Sequence, residues 1–281
     1  MLFRSNLWYH VGPANEDAGR TGFAHLFEHM MFRGTEKYPA EKYTEIMAKL
    51  GAATNAFTSG DLTAYHTTFS KEDLPLVLDM EADRFQNLKY TKEVFQTEAG
   101  AVLGEYNKNS SNPQQKLGEV VRDTAFDRST YKHTTMGFLA DVQNMPNQYD
   151  YSLRFFEQYY KPEYVTIVVA GDVKPKDVRA LVDKSWGAWK HGSYHPDIPV
   201  EPPQQGAREA HVDWPSQTLP MIQIAFKAPA YSDTTKDNVA LDALATMAFS
   251  QTSALYRKLV INEQRLDGLR AQVQQIGRAH V

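Results

Sequence analysis

Apolar and polar positions alternate through "NLWYHVG", residues 6–12, and this period of two predicts a strand entering a loop at "GPANEDAGR". The period then lengthens. "TGFAHLFEHMMFRGT" reads as a helix from a cap at Thr21 through Phe32, stopped by Gly34. "PAEKYTEIMAKLG" predicts a second helix, with Pro39 at its start and Gly51 past its end. "ATNAFTSGDLTAYHTTF" returns to alternation as a hairpin turning at "SGD". Ser70 and Asp73 are spaced as a capping box for the helix "KEDLPLVLDMEADRFQN", in which Pro75 sits deep. Thr91 caps "KEVFQTEAGAVLGEYNK", which ends at the breakers "NSSNP". Further helices are expected over 114–126 and 147–160. "YVTIVVAGD" reads as a buried strand, and "PKDVRALVDKSWGAW" as the helix after it.

"HGSYHPDIPVEPPQQGAR" has four prolines and almost no apolar period, so a boundary is expected near 191–208. Beyond it, "LPMIQIAFKAPAY" predicts a strand and "TTKDNVALDALATMAFSQTSALYRKLV" a helix. Setting "FAHLFEHMMF" over "ALDALATMAF" places Asp242, Ala245 and Thr246 opposite His25, Glu28 and His29. A strand, a loop and a helix at similar spacing suggest a duplicated unit whose second copy has no metal site.

Composition narrows the chemistry. The 281 residues, 42% hydrophobic and 23% charged, suffice for one large or two ordinary globular domains. A net charge of −4 leaves no electrostatic footprint for nucleic acid. No apolar run is long enough to cross a bilayer. With no cysteine, any metal must be held by His, Asp or Glu. Both ends look foreign: "MLFRS" and "IGRAHV" read as inverted copies of one short DNA, as in sequencing-adapter read-through. Residues 1–5 and 276–281 are therefore expected to be adapter-derived, with both true termini missing.

His25 and His29, four apart on a helix, share one face and can reach one ion. Glu28 stands beside that face, placed to hold a water on the ion. Two imidazoles do not complete a catalytic site, which normally has three protein ligands plus water. The helix beginning at Lys92 offers Glu98 and Glu105, seven apart and so two turns apart on one face. Alone, these would be ordinary surface carboxylates. On a mostly apolar helix they are costly to bury unless paired or metal-bound.

Together, "HLFEHMMFRGT", "NAFTSGDLTAY" and "TEAGAVLGEYNKN" resemble the pitrilysin/insulinase family of zinc peptidases, whose signature is His-x-x-Glu-His. "YKPEYVTIVVAGDV" resembles the strand closing that family's first domain. The resemblance implies an α+β fold of tandem αβ domains (LuxS/metalloenzyme-like), each a mainly antiparallel sheet with helices packed on it. The zinc-bearing domain would span 6–200, and 201–275 would begin a truncated, metal-free second domain. It further implies one Zn2+ per zinc-bearing domain, held by His25, His29 and Glu105, which follows His29 by 76 positions. Glu28 would be the general base of a metalloendopeptidase. Glu98 would assist catalysis by orienting a ligand or balancing charge. Asn55, Ala56 and Phe57 would contact the backbone of a peptide added to an edge strand. Taken singly, Phe57 and Tyr65 are expected to be core residues, and His66 structural.

Family members close a chamber around the peptide with a second half, in the same chain or in a homologous subunit. That half carries an Arg and a Tyr separated by six residues. In "LYRKLVINEQRL", Gln264 stands seven after Arg257 and the pair is absent. Two other readings stay open, a non-catalytic peptide-binding or assembly subunit and a zinc hydrolase of another substrate class. The compartment stays open between periplasmic or exported and cytoplasmic.

Overall fold

The computed structural model describes residues 2–273, and the chain divides into two compact units, Met1–Ile224 and Ala225–Val281. In the first unit the four expected strands pair as one antiparallel sheet. They are β1 (Leu2–Tyr9), β2 (Ala53–Thr58), β3 (Thr63–Ser70) and β4 (Val165–Ala170), in the order β2-β3-β1-β4. The central strand sets Leu7 opposite Tyr65 on one side and Ile167 on the other, and Leu7, Tyr9 and Tyr65 are buried. Leu2–Ser5, expected to be adapter-derived, continue β1 opposite Ser70–Thr67. A ladder is made by backbone groups and accepts such residues whatever their origin. Residues 276–281 lie outside the described residues.

Helices α1 (Phe23–Met30), α2 (Ala40–Lys49), α3 (Leu74–Asn87), α4 (Lys92–Ser110), α5 (Pro113–Ala125), α7 (Tyr149–Tyr159) and α8 (Pro175–Trp186) follow the expected periodicity, and the short α6 (Leu139–Asn144) was not expected. α1 is apolar on nearly every side, and Phe23, Leu26, Phe27 and Met30 all enter the main core. α4 buries Phe95, Ala99, Val102 and Tyr106 at helical spacing, and this stripe packs on α1. Thr91 caps α4, its side chain accepting the Val94 N–H. This is the α+β fold with a mainly antiparallel sheet that the resemblance implies.

Several local expectations fail for identifiable reasons. Thr21 is not the cap of α1. Its hydroxyl donates to Asp141 (2.7 Å) and accepts the Phe138 N–H (2.7 Å). Glu16 reaches over from the preceding loop instead, accepting the Gly22 N–H (2.8 Å) and the Ala24 N–H (2.7 Å). Gly22 turns at φ +94°, and a Cβ there would stand 2.8 Å from the Met136 carbonyl oxygen. Ser70 and Asp73 form no capping box; Lys71–Asp73 make a 3-10 turn. α3 starts at Leu74, so that Pro75 falls in its first turn, where a missing N–H costs nothing. β4 is half-buried rather than buried, because it is an outer strand whose residues alternate in exposure. Phe57 is 43% exposed and not a core residue, lying edge-on to Trp8, whereas Tyr65 is buried as expected.

The first unit extends past residue 200. Glu201 accepts backbone N–H groups of Asp127, Arg128 and Ser129, and Arg208 donates to the Thr124 carbonyl. In the second unit, α9 (Asp237–Phe249) forms within the expected helix but stops at Ser250, and a short turn Ala254–Tyr256 follows it. The strand expected over 219–231 does not form, since no neighbouring strand completes a ladder among the described residues.

Candidate metal centre and its cleft

α1 and α4 bring the two parts of the motif together. Nε2 of His25 lies 3.6 Å and Nε2 of His29 3.7 Å from Oε2 of Glu105, and one donor atom from each of the three falls within 4.8 Å of the others. A tetrahedral ion with bonds of roughly 2.0–2.1 Å has ligand atoms about 3.4 Å apart, close to the two separations from Glu105. Two imidazoles and a carboxylate are a donor set suited to zinc. Burial, followed by the neighbouring His29, holds the His25 pKa down at about 4, which keeps its imidazole neutral and able to bind a cation. The residues present therefore fit the ion.

Glu98 stands behind this triangle. It is buried, its Oε2 lies 3.6 Å from Nδ1 of His29, and its Oε1 accepts from Arg33 at 2.9 Å. Burial alone would raise its pKa, but His29 and Arg33 outweigh burial and hold it below the usual carboxylate value. The contact with Glu98 in turn raises the His29 pKa, more than burial lowers it. A carboxylate behind a ligating imidazole fixes the ring's orientation. Glu105, half-exposed, faces solvent on the other side of the triangle.

Glu28 points to the same space. Its Oε2 accepts the Thr58 hydroxyl at 2.6 Å, which ties the helix to the edge strand. Burial raises the Glu28 pKa, and the Thr58 bond opposes that shift. An open cleft of about 330 Å³ begins here, lined by His25, Glu28 and Glu105 together with Ala56, Phe57 and Thr58 of β2. Among the described residues β2 pairs only with β3, so its outer edge faces no other strand there. The Ala56 N–H turns to the Oδ1 of Asn55 at 3.0 Å. Of the three residues expected to touch a peptide, Ala56 and Phe57 line the cleft and Asn55 does not. His66 also lies outside it, on β3 opposite Asn55.

The family model for insulinase (peptidase family M16) matches residues 4–138, and that for the M16 inactive domain matches 148–275. The chain belongs to the pitrilysin/insulinase family of zinc metallopeptidases. The zinc protease PqqE of Helicobacter pylori is 31% identical over 263 residues, 92% of this chain and 58% of that protein. A solved structure of a protease from Helicobacter pylori superposes with a TM-score of 0.83 at 27% identity, covering 98% of this chain and 67% of that one. The first half of the periplasmic protease PqqL from Escherichia coli shares the fold, with a TM-score of 0.62 at 23% identity over 70% of this chain and 44% of that one. The chain thus spans somewhat over half of PqqE. The second family model begins inside the first compact unit, ahead of the proline-rich linker.

Sequence reasoning missed several residues of the site. Thr58 was within reach, since it continues the "NAFTS" run and alternates with Phe57. Tyr106, Lys116 and Glu119 line the far wall, and Thr134, Thr135 and Met136 close one side. Tyr106 follows Glu105 on α4, but no spacing rule marks the others, because α5 and the 134–138 loop reach the cleft only through packing. Gly137 shows how tightly that loop is laid against α1: at φ +78°, its Cβ would meet Thr21 backbone at 2.5 Å.

Proposed function

We propose that this chain bears the active site of a zinc metalloendopeptidase acting on peptides or small unfolded proteins. The observation that carries the reading is the convergence of His25, His29 and Glu105 at the mouth of a cleft that also holds Glu28 and the edge of β2. His25, His29 and Glu105 hold one zinc ion. Bound there, zinc supplies Lewis acidity, lowering the pKa of a water and polarising a carbonyl. Glu28 takes the proton of the attacking water and delivers it to the departing amine, a task suited to a carboxylate whose pKa is raised by burial. Thr58 holds one oxygen of Glu28 in place. Glu98 keeps the His29 ring turned toward the ion.

The peptide adds as a strand along β2, where the Asn55 side chain gives up the Ala56 N–H to it. A second half, in the same polypeptide or a homologous subunit, completes the enclosure. A periplasmic or exported setting is consistent with the PqqL relative, and no helix among the described residues is long and apolar enough to cross a membrane.

The test is Glu28→Gln. The variant should keep stoichiometric zinc and lose cleavage of a quenched fluorescent peptide by about 10²–10⁴-fold, the scale of a lost general base. Near-normal cleavage would remove Glu28 from the mechanism. Zinc binding with no cleavage by the unaltered protein, even when joined to its second half, would favour the peptide-binding subunit instead.

A further inference from the structure

The cleft has two unlike walls. β2 contributes Ala56 and Phe57, whereas α4 and α5 contribute Tyr106, Lys116 and Glu119. Glu119 is fully engaged: Oε1 accepts from Lys116 Nζ at 2.7 Å, and Oε2 accepts the Tyr106 hydroxyl at 2.9 Å. Its side chain is 16% exposed, against 36% for Lys116. To receive a cation, Glu119 would have to release Lys116. Lys116 has three N–H donors and gives one of them to Glu119. Among the described residues that line the cleft it is the one Lys or Arg.

We propose that Lys116, positioned by Glu119 and Tyr106, determines specificity by receiving an acidic side chain of the bound peptide. The proposal rests on the reading of the cleft as a peptide site. A peptide extended along β2 directs alternate side chains to opposite sides, so one set faces α4 and α5. A carboxylate there meets the remaining ammonium donors of Lys116 in a charge-assisted hydrogen bond. Glu119 holds the lysine in place at the wall through the 2.7 Å contact. A lysine is a point charge with rotatable donors, so it selects for charge more than for side-chain shape.

The experiment measures binding of fluorescent peptides to the zinc-loaded chain carrying Glu28→Gln, which prevents turnover. In the peptide set each position in turn holds Glu, Gln or Lys. At one position Glu should bind about tenfold more tightly than Gln, the scale of one partly exposed charge-assisted hydrogen bond. Lys116→Ala should erase that ratio, and Lys116→Glu should turn it toward Lys peptides. Glu119→Gln, which leaves the lysine present but loosely held, should reduce the ratio without erasing it. A ratio unchanged in Lys116→Glu overturns the proposal. So does a preference of the unaltered wall for Lys peptides, which would make Glu119 the receptor, and so does failure of every peptide to bind. Cleavage by the protein with Glu28 intact, joined to its second half, is followed in parallel. Lys116-dependent binding without any cleavage would sink the peptidase reading and leave this inference standing; cleavage without charge preference would do the reverse.

Discussion

α1 and α9 carry similar patterns and meet different fates. "FAHLFEHMMF" and "ALDALATMAF" align position for position, and both form helices. In α1, Phe23, Leu26, Phe27 and Met30 are wholly buried; in α9, Val239, Leu244 and Met247 are 60–78% exposed. The difference lies in what each unit offers to pack against. The first unit has a four-stranded sheet and α4, whereas the second has no strand among the described residues. An apolar helical pattern therefore specifies a helix, while a metal centre also requires a second element aimed at the same point.

The largest expected effects test that requirement. His25→Ala, His29→Ala or Glu105→Ala should each abolish stoichiometric zinc, measured on purified protein whose helices are intact by circular dichroism. Stoichiometric zinc in Glu105→Ala would show that the third ligand was misassigned. The mirror experiment writes the motif into α9 as Asp242→His, Ala245→Glu and Thr246→His. That triple variant should bind no second zinc, since α9 lacks a counterpart to Glu105; two zinc ions per chain would break the comparison.

The next effect concerns the contribution of the second half that completes the enclosure. Residues 6–275 should fold and bind zinc, yet cleave a peptide at least about 100-fold more slowly than the complete enzyme, the scale of one missing oxyanion donor. The comparison is turnover at equal zinc occupancy. Equal rates would mean that the active site is complete in this chain. A smaller change is expected from Glu98→Gln, which retains a polar group behind His29 but removes its charge. Zinc affinity, titrated against a competing chelator, should fall by about 10–100-fold, as for other partners of a ligating histidine. An unaltered affinity would leave Glu98 no part in holding the ring.

The smallest effect separates the two helix starts. Glu16 caps α1 through two backbone N–H groups, whereas α9 has no side-chain cap. Glu16→Ala should lower stability by about 1–2 kcal/mol in urea unfolding, the upper part of the range for a lost cap. No change in midpoint would mean that packing alone holds the start of α1.

Much of this was determined by local pattern. The His25–Glu28–His29 spacing, the seven-residue interval between Glu98 and Glu105, the hairpin turning at Gly60 and the period-two strands are short-range features, and short-range periodicity is what a sequence displays. The Thr91 cap was legible for the same reason. What remained hidden depends on partners distant in the chain. Glu16 capping α1 across a loop, Thr58 holding Glu28, the Lys116–Glu119–Tyr106 wall, and the close approach of Gly137 to Thr21 all arise when α1, β2, α4 and α5 converge. Taken singly Phe57 fits a core as well as a peptide contact, but an outer strand has a neighbour on one side only and leaves that ring exposed at the cleft. The strand expected over 219–231 failed for the complementary reason. Its apolar alternation is a local property, but its hydrogen bonds must come from another strand, and only tertiary structure can supply one.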